Sequence, residues 1–82
     1  MDQEKALQVL EDLLEKLSIK IKYDRGNFKG GLVRYHKDDL LYLNRKDKTE
    51  AKIKTIVSEL KEMEIPQHLK TEEIIALIKE NS

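Results

Sequence analysis

The order of apolar and polar positions divides the chain into stretches of two periods. From about Asp2 to Leu17, the residues Ala6, Leu7, Leu10, Leu13, Leu14 and Leu17 recur at the i, i+3, i+4, i+7 spacing of one buried helical stripe. Asp2 suits the N-cap, and Glu4 suits the positive end of the helix dipole. The period then shortens to two. In IKIKY (19–23), Ile19, Ile21 and Tyr23 fall on one face and Lys20 and Lys22 on the other, as in a half-buried strand. DRGN (24–27) carries turn chemistry, and Gly30-Gly31 opens a second strand, LVRYH (32–36). KDD (37–39) reads as a tight polar turn and LLYLN (40–44) as a third strand. From about Thr49 the helical period returns, with Ile53, Ile56, Val57, Leu60 and Met63 on one face and Ala51 beside it. Asp47 or Thr49 is placed to cap this helix, and Asp47 with Glu50 forms a capping-box-like pair. Ile65-Pro66 ends it, because the residue before proline disfavours helical dihedrals. A last short helix follows Thr71, with Ile74, Ile75, Leu77 and Ile78 as its apolar side.

The order α-β-β-β-α-α predicts an α+β fold: a three-stranded antiparallel meander with helices packed on one face. Short polar connections favour pairing of strands that are neighbours in sequence. At 82 residues the chain is expected to form a single domain, 1–82, because two cores would not both be buried. Ile19, Ile21, Tyr23, Val33, Tyr35, Leu41 and Leu43 are expected against the helices. The other face would then show Lys20, Lys22, Leu32, Arg34, His36, Leu40 and Tyr42.

Composition narrows the chemistry. Charged and hydrophobic residues each make up 39%, which supports one small core under a charged surface and leaves room for a homodimer. The absence of cysteine removes disulfides, thiolate zinc sites and cysteine nucleophiles together. The acidic, amphipathic start is unlike a signal peptide, and no apolar run has the length of a membrane span, so a soluble cytoplasmic protein is expected. Net charge is zero but uneven. Residues 1–15 sum to −4 (one Lys against five Asp/Glu) and residues 16–37 to +6 (seven Lys/Arg against Asp24). Residues 38–55 give +1 and 56–82 give −3, so a basic centre lies between acidic ends.

One stretch raises a catalytic question. In TIVSELKEM (55–63), the H-E-x-x-H frame of zinc peptidases would read Ser58, Glu59, Leu60, Lys61, Glu62, with the glutamate present and both histidines missing. GGLVRYHKDDLLYLN followed by TEAKIKTIVSEL resembles the segment leading into the catalytic helix of ImmA/IrrE-type zinc metallopeptidases. Residues 18–64 are closer to a group of short uncharacterised bacterial proteins with a Gly-Gly, an Arg three residues on and an Asn ending the third strand. Here those are Gly30, Gly31, Arg34 and Asn44. The resemblance implies the architecture without the activity: zinc needs several converging nitrogen, sulfur or carboxylate ligands, and Ser58 and Glu62 are no such set. No metal, cofactor or catalytic residue is therefore expected. Gly30-Gly31 precedes a strand, lacks a following Gly-Lys-Ser/Thr, and reads as a turn, a bulge or a close backbone approach. His36 and His68 read as surface histidines.

What remains is binding. The open sheet face, with Lys20, Lys22, Arg34, His36, Tyr42 and, flanking it, Arg45, combines cations with an aromatic. Phe28 and Lys29 lie in the preceding loop. A non-enzymatic interaction or regulatory module is the leading expectation, with a protein partner held on that face or along an edge strand. Nucleic acid, held by phosphate contacts and stacking, is the alternative. The run IIALI (74–78) serves either the core or pairing with another copy.

Overall fold

Five of the six apolar positions at helical spacing lie on the first helix and are buried, and the sixth, Leu17, is its C-cap. Helix α1 spans Gln3–Lys16 and buries Ala6, Leu7, Leu10, Leu13 and Leu14, while the Asp2 carboxylate caps it by accepting from the Glu4 N–H at 3.0 Å. The computed structural model describes residues 2–26 and 30–82, with the side chain of Tyr35 excepted. Ser18 turns the chain out of the helix at φ 62°, a left-handed conformation, and strand β1 (Ile19–Asp24) begins at the next residue. This two-residue reversal lays β1 back beneath α1.

Strands β2 (Gly31–Tyr35) and β3 (Asp38–Asn44) follow, then helix α2 (Thr49–Leu60), a short 3-10 helix (Gln67–Leu69) and helix α3 (Glu72–Glu80). The order is the expected one; the pairing is not. The sheet runs β1-β3-β2 and is mixed: β1 lies parallel to β3, and β2 antiparallel to it. The antiparallel meander is thus corrected to a mixed sheet in which β2 lies on the far side of β3 from β1, so that β1 and β3 pair in parallel without being consecutive in the chain. The physical reason is in β3 itself. Leu41 and Leu43 are wholly buried on the helix side, and Leu40 and Tyr42 are half-buried on the other. The strand that is apolar on both faces takes the centre, and lysine-bearing β1 takes an edge.

A second correction concerns β2. The hairpin loop is His36–Lys37, with Tyr35 opposite Asp38, instead of the three-residue turn KDD. One residue of difference reverses every side chain of the partner strand. Leu32 and Arg34 therefore pair with Leu41 and Asp39 on the helix side, and Val33 pairs with Leu40 on the open side. Val33, expected in the core, is 47% exposed. The side chain of Tyr35, also expected there, lies outside the described residues. His36 adopts φ 57° in the loop, a region in which His is enriched among non-glycine residues.

Helix α1 packs on β1, α2 packs on β2 and β3, and α3 packs on α1 and α2. Ile53, Ile56, Val57 and Leu60 of α2 are buried as expected, Met63 is half-buried and Ala51 is exposed. The α2 cap falls on Lys48, with no side-chain cap hydrogen bond, in place of Asp47 or Thr49. Thr71 caps α3 through the Ile74 N–H at 3.2 Å, and Ile74 and Leu77 enter the core while Ile75 stays 40% exposed.

Asn44, 6% exposed, locks the crossover to the sheet. Its Nδ2 donates to the Gly26 carbonyl at 2.9 Å, and its Oδ1 accepts from the Lys46 N–H at 3.0 Å. Gly30 lies at the same end, pressed between β3 and α2. A methyl group there would sit 2.5 Å from the Tyr42 carbonyl oxygen and 3.3 Å from Thr55 Cγ2. Gly30 and Asn44 thus have architectural roles.

Candidate interaction surface

Backbone geometry determines what each sheet edge offers. The Arg45 N–H donates to the Asp24 carbonyl at 2.8 Å, so Asp24, and by alternation Lys22 and Lys20, turn their backbone groups toward β3. Ile21 and Tyr23 then turn theirs outward. On β3 the odd-numbered residues serve β1 and the even ones serve β2, so Gly31, Val33 and Tyr35 bond inward while Leu32 and Arg34 face outward. No described strand pairs with either outer edge.

The two edges differ in chemistry. Along β1, a groove of about 690 Å³ runs between the strand and α1, lined among others by Gln8, Glu11, Asp12, Glu15, Lys20 and Lys22. The α1 wall is acidic because Gln8, Glu11, Asp12 and Glu15 follow an i, i+3, i+4, i+7 stripe of their own beside the apolar one. That stripe was readable in the sequence, but its meaning required knowing that β1 is an edge beside α1. Glu11 of this wall is held by Tyr23, whose hydroxyl donates to Glu11 Oε2 at 2.5 Å and whose ring has Lys52 Nζ at 5.3 Å from its centre. Burial, then the hydrogen bond and the charge of Glu11, push the Tyr23 hydroxyl well above its ordinary 10.0.

Tyr23→Phe is therefore expected to cost about 1 kcal/mol near neutral pH through the lost hydrogen bond. The folded state holds the Tyr23 proton longer than the unfolded chain, so this stabilisation is intact below pH 10.0 and is lost as pH rises above it. Urea unfolding of both proteins at about pH 8 and about pH 11 checks this: the gap between them narrows at the higher pH.

Lys20, Lys22 and Tyr42 share the open face, as expected, with Leu40 between them and Val33 beside Leu40. Lys20 Nζ lies 3.6 Å from Asp38 Oδ2. Arg34 does not join this group. It belongs to the helix side of the edge strand, where its Nε donates to Asp39 Oδ1 at 2.9 Å. That bond holds the Asp39 carboxyl below its ordinary range and raises the Arg34 guanidinium. His36 sits at the hairpin tip, and exposed Arg45 follows the end of β3. Phe28 and Lys29 lie outside the described residues.

The zinc-peptidase frame is also placed. Helix α2 ends at Leu60 with Lys61 as its C-cap, so Glu62 lies beyond the helix on which the frame's second ligand position would sit. Among the described residues no three His, Asp or Glu side chains converge as a metal site, and no helix is long and apolar enough to cross a membrane. Comparison with protein-family models, with curated proteins and with solved structures finds no match.

Proposed function

We propose that this chain is a non-enzymatic interaction module that takes an extended segment of a partner protein as an added strand along the outer edge of β1. The observation that carries this reading is the groove between α1 and β1, lined along the strand by Ile19 and Ile21, whose backbone groups turn away from β3. Added strands gain affinity from main-chain hydrogen bonds and specificity from pockets for alternate side chains. The charges define the segment. Basic side chains on its helix side would meet Asp12 and Glu15, and acidic ones on its open side would meet Lys20 and Lys22. Binding of nucleic acid to the open face is less well supported, because Lys20 is already paired with Asp38 and Arg34 lies off that face.

Selection from a displayed library of extended peptides, followed by NMR titration of the labelled protein, tests the proposal. The expected binders alternate basic and acidic residues, and their shifts centre on residues 19–23 and the polar stripe of α1. Asp12→Lys with Glu15→Lys, an exposed pair, is expected to weaken them about tenfold or more. Ile21→Pro is expected to abolish binding by deleting an outward donor while sparing the bonds to β3. Shifts confined to Val33, Leu40 and Tyr42 would reject the β1 edge. Shifts there with short RNA or DNA, weakening steeply with salt, would establish the nucleic-acid alternative instead.

A further inference from the structure

The opposite edge of the sheet carries a different message. Leu32 and Val33 are 37% and 47% exposed on the two faces of β2, and Arg34 beside them is exposed as well. Three consecutive exposed residues on alternating faces mark a strand whose outer edge no described strand covers. Exposed edge strands are usually guarded by charge, proline or a bulge. On β1, Lys20 and Lys22 guard the edge against pairing with the same lysine-bearing strand of another copy. On β2, the run Gly31-Leu32-Val33 has no such guard, and the neighbouring Arg34 is engaged by Asp39.

We infer that β2 pairs with β2 of a second copy of this chain, antiparallel about Val33, to give a six-stranded sheet ordered β1-β3-β2-β2-β3-β1. Register supports this occupant. Leu32 and Arg34 are the residues of β2 whose backbone groups face outward, and a two-fold axis at Val33 sets Leu32 opposite Arg34 of the partner subunit and the reverse. Both positions are then hydrogen-bonded pairs, and the two Val33 side chains meet at a close, non-hydrogen-bonded pair. No like charges oppose one another. The same operation on β1 would set Lys20 against Lys22, or a lysine against itself, and is disfavoured. On the open side the pairing joins Val33 and Leu40 of each copy into one apolar strip across the axis. On the helix side it brings the partner's Arg34 to the end of β2 where Glu59 lies near Gly31. This contact is independent of the β1 groove.

Sedimentation equilibrium of the intact chain, from about 20 µM to about 1 mM, measures the association, and a monomer–dimer equilibrium is expected in that range. Val33→Lys and Val33→Glu, at an exposed position, are each expected to stay folded by NMR dispersion and to weaken association tenfold or more. An equimolar mixture of the two is expected to regain the dimer as a heterodimer, because residue 33 faces residue 33 across the axis. Ile21→Pro is expected to leave the dimer unchanged, which separates this contact from partner binding at β1. A chain that stays monomeric at the highest concentration, a dimer that neither Val33 variant weakens, or a mixture that does not reassociate would each overturn the pairing.

Discussion

Replacing Gly30 by alanine is expected to destabilise the protein by about 2–3 kcal/mol, a large share of what a domain of this size commands. The added methyl would lie 2.5 Å from the Tyr42 carbonyl oxygen, well inside van der Waals contact, and 3.3 Å from Thr55 Cγ2. Neither neighbour yields easily. The Tyr42 carbonyl belongs to the central strand and faces β2, so moving it disturbs the ladder that holds β2. Thr55 sits on α2, whose flanking residues Ile53, Ile56 and Val57 are buried in the core. Gly31→Ala is the internal control: its methyl would meet only Glu59 Oε1, at 3.7 Å, an ordinary contact at the end of a flexible side chain. That variant is expected to cost less than about 1 kcal/mol. Chemical denaturation of the two variants beside the parent measures both, and equal losses would show that the Gly30 contact relaxes freely.

The elements themselves were legible because helix and strand periods are local properties. Five of the α1 stripe residues and four of those on α2 are buried where the spacing put them. The sheet was less legible, since alternation divides a strand into two faces without saying which one turns inward. Placing the hairpin turn at 37–39 instead of 36–37 exchanged Val33 for Leu32 and moved Arg34 to the wrong side. Strand order was hidden for a related reason, as the tendency of consecutive strands to pair pointed to a meander. The contrary signal was the unbroken apolar run Leu40 to Leu43, which suits a central strand better than an edge. Of the anticipated binding residues, Lys20, Lys22 and Tyr42 do share a face, because their alternation does not depend on the hairpin. The α1–β1 groove was not legible at all, since it depends on how α1 packs beside the outer edge of β1, which no local period records.

Asn44 offers the second large effect, and one that separates a hydrogen-bonding role from a merely space-filling one. Its buried amide donates to the Gly26 carbonyl and accepts from the Lys46 N–H, joining the start of the crossover to the turn that precedes α2. Asn44→Ala removes both bonds and leaves backbone groups without those partners, for an expected loss of about 2–3 kcal/mol at any pH between 4 and 7. N44D behaves differently. Its carboxylate still accepts from Lys46, but it opposes the Gly26 carbonyl, to which only the protonated acid donates. The folded-state pKa of the N44D carboxyl is therefore raised above the unfolded value of about 3.9. A raised folded pKa gives stability that is fully present below the unfolded value and is lost as pH rises through the folded one. Measured against the parent at each pH, N44D is expected to be nearly as stable at about pH 4 and to lose about 1.4 kcal/mol for each unit of that shift by about pH 7. Urea unfolding at the two pH values distinguishes the cases. A deficit for N44D that does not grow with pH would mean that the amide's bond to Gly26 does not hold the crossover.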